Sequence, residues 1–217
     1  MACGYAFYSC SAEEFARKGA PLQVRTVDLV CGKQVTVPSP RPGATEKNRF
    51  EVFPRAMREQ LRNFTSTGGG LIVSGANIMT DIWGKVYSGV QKDSLETAEG
   101  KRFAREILGC RMVTSRASRT GTLKGFGTKA SAFPGINASF RNTPGEDVYC
   151  VENPDGLAPA TKGAAAVMRY GDSFIGAAVT YESPSHRAVS FGFPLETVTG
   201  REELIKIFGA ALDFLEK

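Results

Sequence analysis

The residues best equipped for chemistry gather around an apolar run, Leu71-Ile72-Val73, which is entered through Gly68-Gly69-Gly70 and left through Ser74-Gly75-Ala76-Asn77 toward Asp81. A run of this kind reads as a buried parallel strand, and in open α/β sheets small molecules are handled just outside the carboxyl ends of such strands. Ser74 on that turn is a nucleophile candidate. Glycine in the turn Cys31-Gly32-Lys33-Gln34 permits positive φ and leaves backbone N–H groups facing the same crest. Cys31 is the thiol at the neighbouring strand end, and Glu196, shortly after Phe193-Pro194, is a carboxylate near the same crest. Asn77 and Asp81 complete the polar set, although Asp81 equally suits a backbone cap for the following helix.

A serine at neutral pH needs a base to take its proton. The single histidine, His186, precedes the last strand, and a strand of seven residues spans about 23 Å. It is therefore expected at the far end from Ser74, as an exposed loop residue. No G-x-S-x-G elbow surrounds Ser74. The five cysteines lack any C-x-x-C spacing, so neither a zinc site nor a dense disulfide framework is expected, and no metal or cofactor.

Periodicity supplies the elements that hold these residues. Ser11-Ala12-Glu13-Glu14 is a helix start with a capping serine. Strands are expected over 5–11 and 24–30, a proline-rich loop over 38–48, and an amphipathic helix over 50–64 with Phe53, Met57, Leu61 and Phe64 on one side. Helices are expected after Thr80 and over 94–108, with Gly109 as a stop. Residues 112–149 are rich in Gly, Ser and Thr and read as an irregular β excursion, ending in a short strand over 148–151. Residues 164–170 and 173–181, joined by Gly171-Asp172, form the clearest hairpin signal. A last strand over 187–193 and an amphipathic helix over 201–215 close the chain.

Length and composition bound the rest. With 217 residues, 42% hydrophobic and 23% charged, the chain can form one domain with a full core. No apolar stretch approaches the roughly 20 residues that span a bilayer. Net charge is +5, and residues 107–145 carry Arg111, Arg116, Arg119, Lys124, Lys129 and Arg141 with no acid among them. That run would favour an anionic partner, whether nucleic acid, an acidic polysaccharide or a carboxylated metabolite, although its plainer reading is a solvated hairpin with basic residues on the wet face. Aromatic interleaving is thin there, only Phe126, Phe133 and Phe140, which argues against a single-strand nucleic-acid platform.

The segments Asp28-Leu-Val-Cys31-Gly32-Lys-Gln, Val73-Ser74-Gly75-Ala-Asn77-Ile and Gly192-Phe193-Pro194-Leu-Glu196-Thr resemble the class I glutamine amidotransferase-like superfamily. The likeness is to the domain of large secreted bacterial proteins labelled xanthan lyase or golvesin-type. It implies a three-layer α/β/α, flavodoxin-like, mostly parallel sheet, with the basic β excursion at 111–147 and the late antiparallel hairpin set into it. It also implies a fragment of a longer exported chain, lacking its first βα unit and partnered by that chain's other domains. Matched to the family's motifs, Ser74 takes the nucleophile position and Phe193 stands where the base histidine belongs, so glutaminase activity is not expected. Two functions are left: a binding or structural module of a polysaccharide-associated protein, or a hydrolase or lyase acting on an acidic or acylated carbohydrate through Ser74 or Cys31, with Glu196 or Asp81. For the first, Gly32, Gly75, Asn77, Asp81 and Phe193 are the expected binding residues.

Overall fold

The computed structural model describes residues 4–38, 48–83, 94–126 and 133–216. Ser11 caps helix α1 (Ala12–Lys18), its Oγ accepting the backbone N–H of Glu14 at 3.2 Å. Strand β1 (Thr26–Gly32) follows, then the two-residue strands β2 (Val37–Pro38) and β3 (Asn48–Arg49). Helix α2 (Arg55–Ser66) buries Met57 and Leu61 and leads through a glycine turn into β4 (Gly70–Gly75), every residue of which is buried. Then come α3 (Thr80–Trp83) and α4 (Ser94–Glu106). Gly109 stops the chain at φ +66, where a Cβ would lie 2.4 Å from the Tyr181 ring, so a side chain is excluded there on both counts.

Strands dominate the rest: β5 (Cys110–Thr114), β6 (Thr122–Gly125), β7 (Asn137–Phe140), β8 (Gly156–Pro159), β9 (Ala164–Tyr170), β10 (Gly176–Glu182) and β11 (Arg187–Phe191). A 3-10 turn at Leu195–Thr197, β12 (Val198–Thr199) and helix α5 (Arg201–Leu215) complete the chain. Neither the strand expected over 5–11 nor the one over 148–151 forms; among the described residues neither segment finds a neighbour to share a ladder with. Most of the proline-rich loop, 39–47, lies outside the described residues, as does Lys129.

The main sheet has eight strands in the order β1-β4-β11-β10-β9-β6-β7-β12. Only β1–β4 and β4–β11 pair in parallel; the other five pairs are antiparallel, and the sheet curls into a half-barrel. This corrects the expected flavodoxin-like, three-layer α/β/α fold with a mostly parallel sheet. The physical reason lies in the second half of the chain, where β6–β7, β9–β10 and β10–β11 are each pairs of strands adjacent in sequence. Tight turns can join only antiparallel neighbours, whereas parallel ones need a crossover. The basic excursion is likewise no insertion beside the sheet, because its β6 and β7 are members of it.

Two apolar clusters lie on the two faces. Leu71 and Val73 of β4 pack with Phe15 of α1, Met57 and Leu61 of α2 and Phe103 of α4. Ile72, between them, points the other way into a cluster with Ile207, Ala211 and Leu212 of α5 and with Phe140, Tyr170, Phe191 and Phe193. The period of two in β4 thus divides the core. No helix among the described residues is long and apolar enough to cross a membrane.

Candidate functional site

The parallel strands end where β1 and β4 reach their glycines, with Val30 opposite Ser74 and Gly32 opposite Gly75 across a bulge. Gly32 has φ +55, and a Cβ there would sit 3.1 Å from Tyr149 Oη and 3.6 Å from Glu196 Oε1. Its lack of a side chain lets those two groups close over the strand end. Tyr149 Oη donates to Glu196 Oε1 at 2.6 Å. Asp28 stands on β1 opposite Ile72, on the face that carries Ser74. It is exposed to solvent and close to Glu196, and with Tyr149 and Glu196 it frames the strand end as a shallow groove. Loss of surrounding water, and secondarily the charge of Glu196, push its carboxyl up to about 6. The Tyr149 phenol is also pushed up, by desolvation first and then by its bond to Glu196 and that group's charge. Beside them Lys33 Nζ lies 2.6 Å from Glu152 Oε2 and donates to the Cys150 carbonyl at 3.0 Å. Asn77 Nδ2 donates to the Lys33 carbonyl at 3.1 Å, tying the two crest turns together.

Of the residues expected at a site, Gly32, Asn77 and Glu196 meet at this groove. Ser74 is fully buried, and its Oγ has no hydrogen-bond partner among the described residues. Cys31 belongs to the cluster on the opposite face of the sheet, and its Sγ donates weakly to the Leu29 carbonyl at 3.7 Å. Burial, followed by the charges of Asp28, Glu196 and Asp81, raises the Cys31 thiol far above its ordinary range, so no thiolate forms at neutral pH. A Cβ on Gly75 would come within 2.8 Å of Cys31 Cβ, so this glycine serves close packing of the two strand ends. Asp81 is buried and clips two loops, accepting from Thr36 N at 2.6 Å and from Val52 N at 3.2 Å. Phe193 is core, stacked on Phe140 with ring centroids 5.5 Å apart.

His186 is buried, contrary to the exposed loop position expected of it. Its Nε2 lies 2.9 Å from the Ile107 carbonyl, which can only accept, so Nε2 carries the proton and Nδ1 accepts from Ser183 Oγ at 2.8 Å. Another buried carboxylate, Asp155, fastens the start of α3 by accepting from Met79 N at 2.6 Å and Thr80 N at 2.9 Å. Among the described residues no group of three or more His, Cys, Asp or Glu side chains could hold a metal ion.

Asp28, Lys33, Tyr149 and Glu152 were not among the site residues the sequence suggested. Asp28 left a signal, an acid in the apolar run Val27-Asp28-Leu29-Val30 two residues before the crest begins. Tyr149 and Glu152 left none, because they reach the groove from a loop more than a hundred residues away in sequence.

No protein-family model matches the chain, and no curated protein matches it. Solved structures do match. The cytoplasmic protein STM3548 from Salmonella typhimurium aligns at TM-score 0.51 and 13% identity, over 96% of this chain and 76% of that one. The two are alike in fold. At such identity the likeness reaches no further. The mmIFT52 N-terminal domain aligns at TM-score 0.49 and 14% identity, over 96% of this chain and 81% of that chain. The exo-β-1,4-mannosidase Op5Man5 from Opitutaceae bacterium strain TAV5 aligns at TM-score 0.39 and 11% identity over 74% of this chain, which spans only 23% of the mannosidase chain. The resemblance to glutamine amidotransferase-like and xanthan-lyase-labelled proteins is corrected accordingly: none of these neighbours indicates such a protein, and the mostly antiparallel sheet differs from that family's.

Proposed function

We propose that the protein is a carbohydrate-binding module whose ligand sits in the groove at the carboxyl end of β1, and that it performs no hydrolysis there. The observation carrying this reading is the Tyr149–Glu196 pair closed over Gly32 beside Asp28. Carboxylates accept hydrogen bonds from sugar hydroxyls, and a half-exposed tyrosine offers an apolar ring with a polar tip, the combination that holds a polyol. Three acids, Asp28, Glu152 and Glu196, face one cation, Lys33, so a neutral sugar suits this groove better than a uronate. The hydrolase or lyase reading through Ser74 or Cys31 loses support from the burial of both: among the described residues no base hydrogen-bonds the serine Oγ, and the thiol is held protonated.

The test is a glycan array with the full chain, followed by calorimetry on the best neutral oligosaccharide. Binding that falls at least tenfold in Glu196→Gln and Tyr149→Phe, with the glycan recovered unchanged, is the expected result. Unaltered affinity in both variants would remove the groove as the site. Products whose formation stops in Ser74→Ala would replace the binding reading with the hydrolase one.

A further inference from the structure

The antiparallel half of the sheet has an outer face opposite the cluster that holds Leu123, Phe140 and Tyr170. Register fixes which residues share it. Thr199 of β12, Ser139 of β7 and Thr122 of β6 form one row across the strands. Asn137 of β7, Lys124 of β6 and Arg169 of β9 form the next. Lys124 and Arg169 are thus direct cross-strand neighbours, and like charges in that position repel. Among the described residues neither has an ion-pair partner. The carboxylate of the β9–β10 turn, Asp172, is turned instead to Ser118 Oγ and to the backbone N–H groups of Arg119 and Thr120.

Two aromatic rings flank this cation pair. The Arg169 guanidinium carbon lies 5.0 Å from the centroid of Phe174 and 5.8 Å from that of Phe126. Phe174 is 65% exposed and sits at φ +61, a backbone region that a bulky L-residue enters only at a cost. The Arg169 contact offsets part of that strain and holds the ring on this face, where its outer side stays exposed.

We infer that this outer face binds an acidic polysaccharide, the carboxylates of its uronate units pairing with Lys124 and Arg169, a sugar ring lying on Phe174, and its hydroxyls meeting Asn137 in the same row and Thr122 and Ser139 in the next. Charge complementarity selects an anion. A glycan fits better than a single-stranded nucleic acid. The same guanidinium already engages both rings, Phe126 is only 38% exposed, and one free ring serves one stack rather than a series. The remaining surface consists of hydroxyls and an amide, which match sugar hydroxyls. The face shares no residue with the groove at the end of β1, and the two assignments stand or fall separately.

The experiment is calorimetric titration of the full chain with polygalacturonate oligomers, with dextran oligomers and a deoxythymidine 20-mer as comparison ligands. Polygalacturonate binding is expected to weaken at least tenfold in Lys124→Gln/Arg169→Gln and at least threefold in Phe174→Gly, a change that relieves the backbone while removing the ring. Affinity should fall as salt rises, and less steeply in Lys124→Gln. If the double variant fails to fold by circular dichroism, Lys124→Gln and Phe174→Gly decide the matter. No polygalacturonate binding, or wild-type affinity in both of those variants, overturns the site; tighter binding of the deoxythymidine 20-mer than of polygalacturonate overturns the ligand class.

Discussion

Asp28 is the residue on which the groove's electrostatics turn. Its carboxyl titrates near 6 because water is displaced around it and because Glu196 is close, so Glu196→Gln should return part of that shift. Carbon-13 carboxyl titration by NMR reads it directly, with the Asp28 midpoint near 6 in the wild type and lower in the variant. The folded value lies above the ordinary 3.8, so whatever stability Asp28 contributes is present below about pH 4 and is lost as pH rises through 6. Asp28→Asn is therefore expected to raise stability at pH 7 and to leave it unchanged at pH 3.5. Solvent exposure keeps that gain below about 1 kcal/mol. The thiols make a second residue-scale contrast. Burial pushes Cys110 up to about 12 and Cys31 further still, whereas Cys10 is exposed and Cys150 half-buried. Brief treatment with N-ethylmaleimide at pH 7.5 should label Cys10 and Cys150, and Cys31 and Cys110 only after denaturation, as peptide mass spectrometry would reveal.

Elements that carry their own local signals were legible in the sequence. The S-x-x-E cap of α1, the helical spacing of Met57 and Leu61 in α2, the Gly109 stop and the β9–β10 hairpin all form close to where they were expected. Pairing partners were not legible. The run Leu71-Ile72-Val73 is the buried parallel strand it was expected to be, but it does not name its neighbours, and nothing in Thr122-Leu123-Lys124 says that β6 joins the main sheet. Tyr149 and Glu152 were missed for the same reason, since they meet Gly32 and Lys33 only through tertiary folding. His186 went astray because its partners are a distant carbonyl and a serine in its own turn. It fastens the β10–β11 turn to the end of the α4 segment through Ile107, and burial lowers its pKa below the ordinary 6.5. A lowered folded value means that the stability it contributes is present above pH 6.5 and is lost as pH falls below it. His186→Ala should cost about 1–3 kcal/mol at pH 7.5, because the Ile107 carbonyl is left buried without a donor, and should flatten the decline of stability between pH 6.5 and 5. Urea melts of both proteins across that range would measure it.

At the scale of the whole molecule the eight-stranded sheet is a shared wall between two apolar clusters, and β4 contributes to both through alternate side chains. A wall cannot lose one side and keep the other. Removing Leu61 strips support from Leu71 and Val73 of β4, while removing Phe193 strips it from Phe140 of β7 and Tyr170 of β9, and all three strands belong to the one sheet. Leu61→Ala should destabilise by about 2–5 kcal/mol and Phe193→Ala by about 3–5 kcal/mol, since each leaves a cavity in a fully buried site. The single tryptophan, Trp83, packs against the cluster that contains Leu61, so its fluorescence reports that side, whereas far-ultraviolet circular dichroism reports the sheet. In urea the two signals are expected to give one coincident transition in the wild type and in both variants, displaced but not split. A fluorescence transition that preceded the dichroism transition in Leu61→Ala alone would mean that the two faces unfold independently, and that the antiparallel half of the sheet holds without the parallel strands that carry the groove.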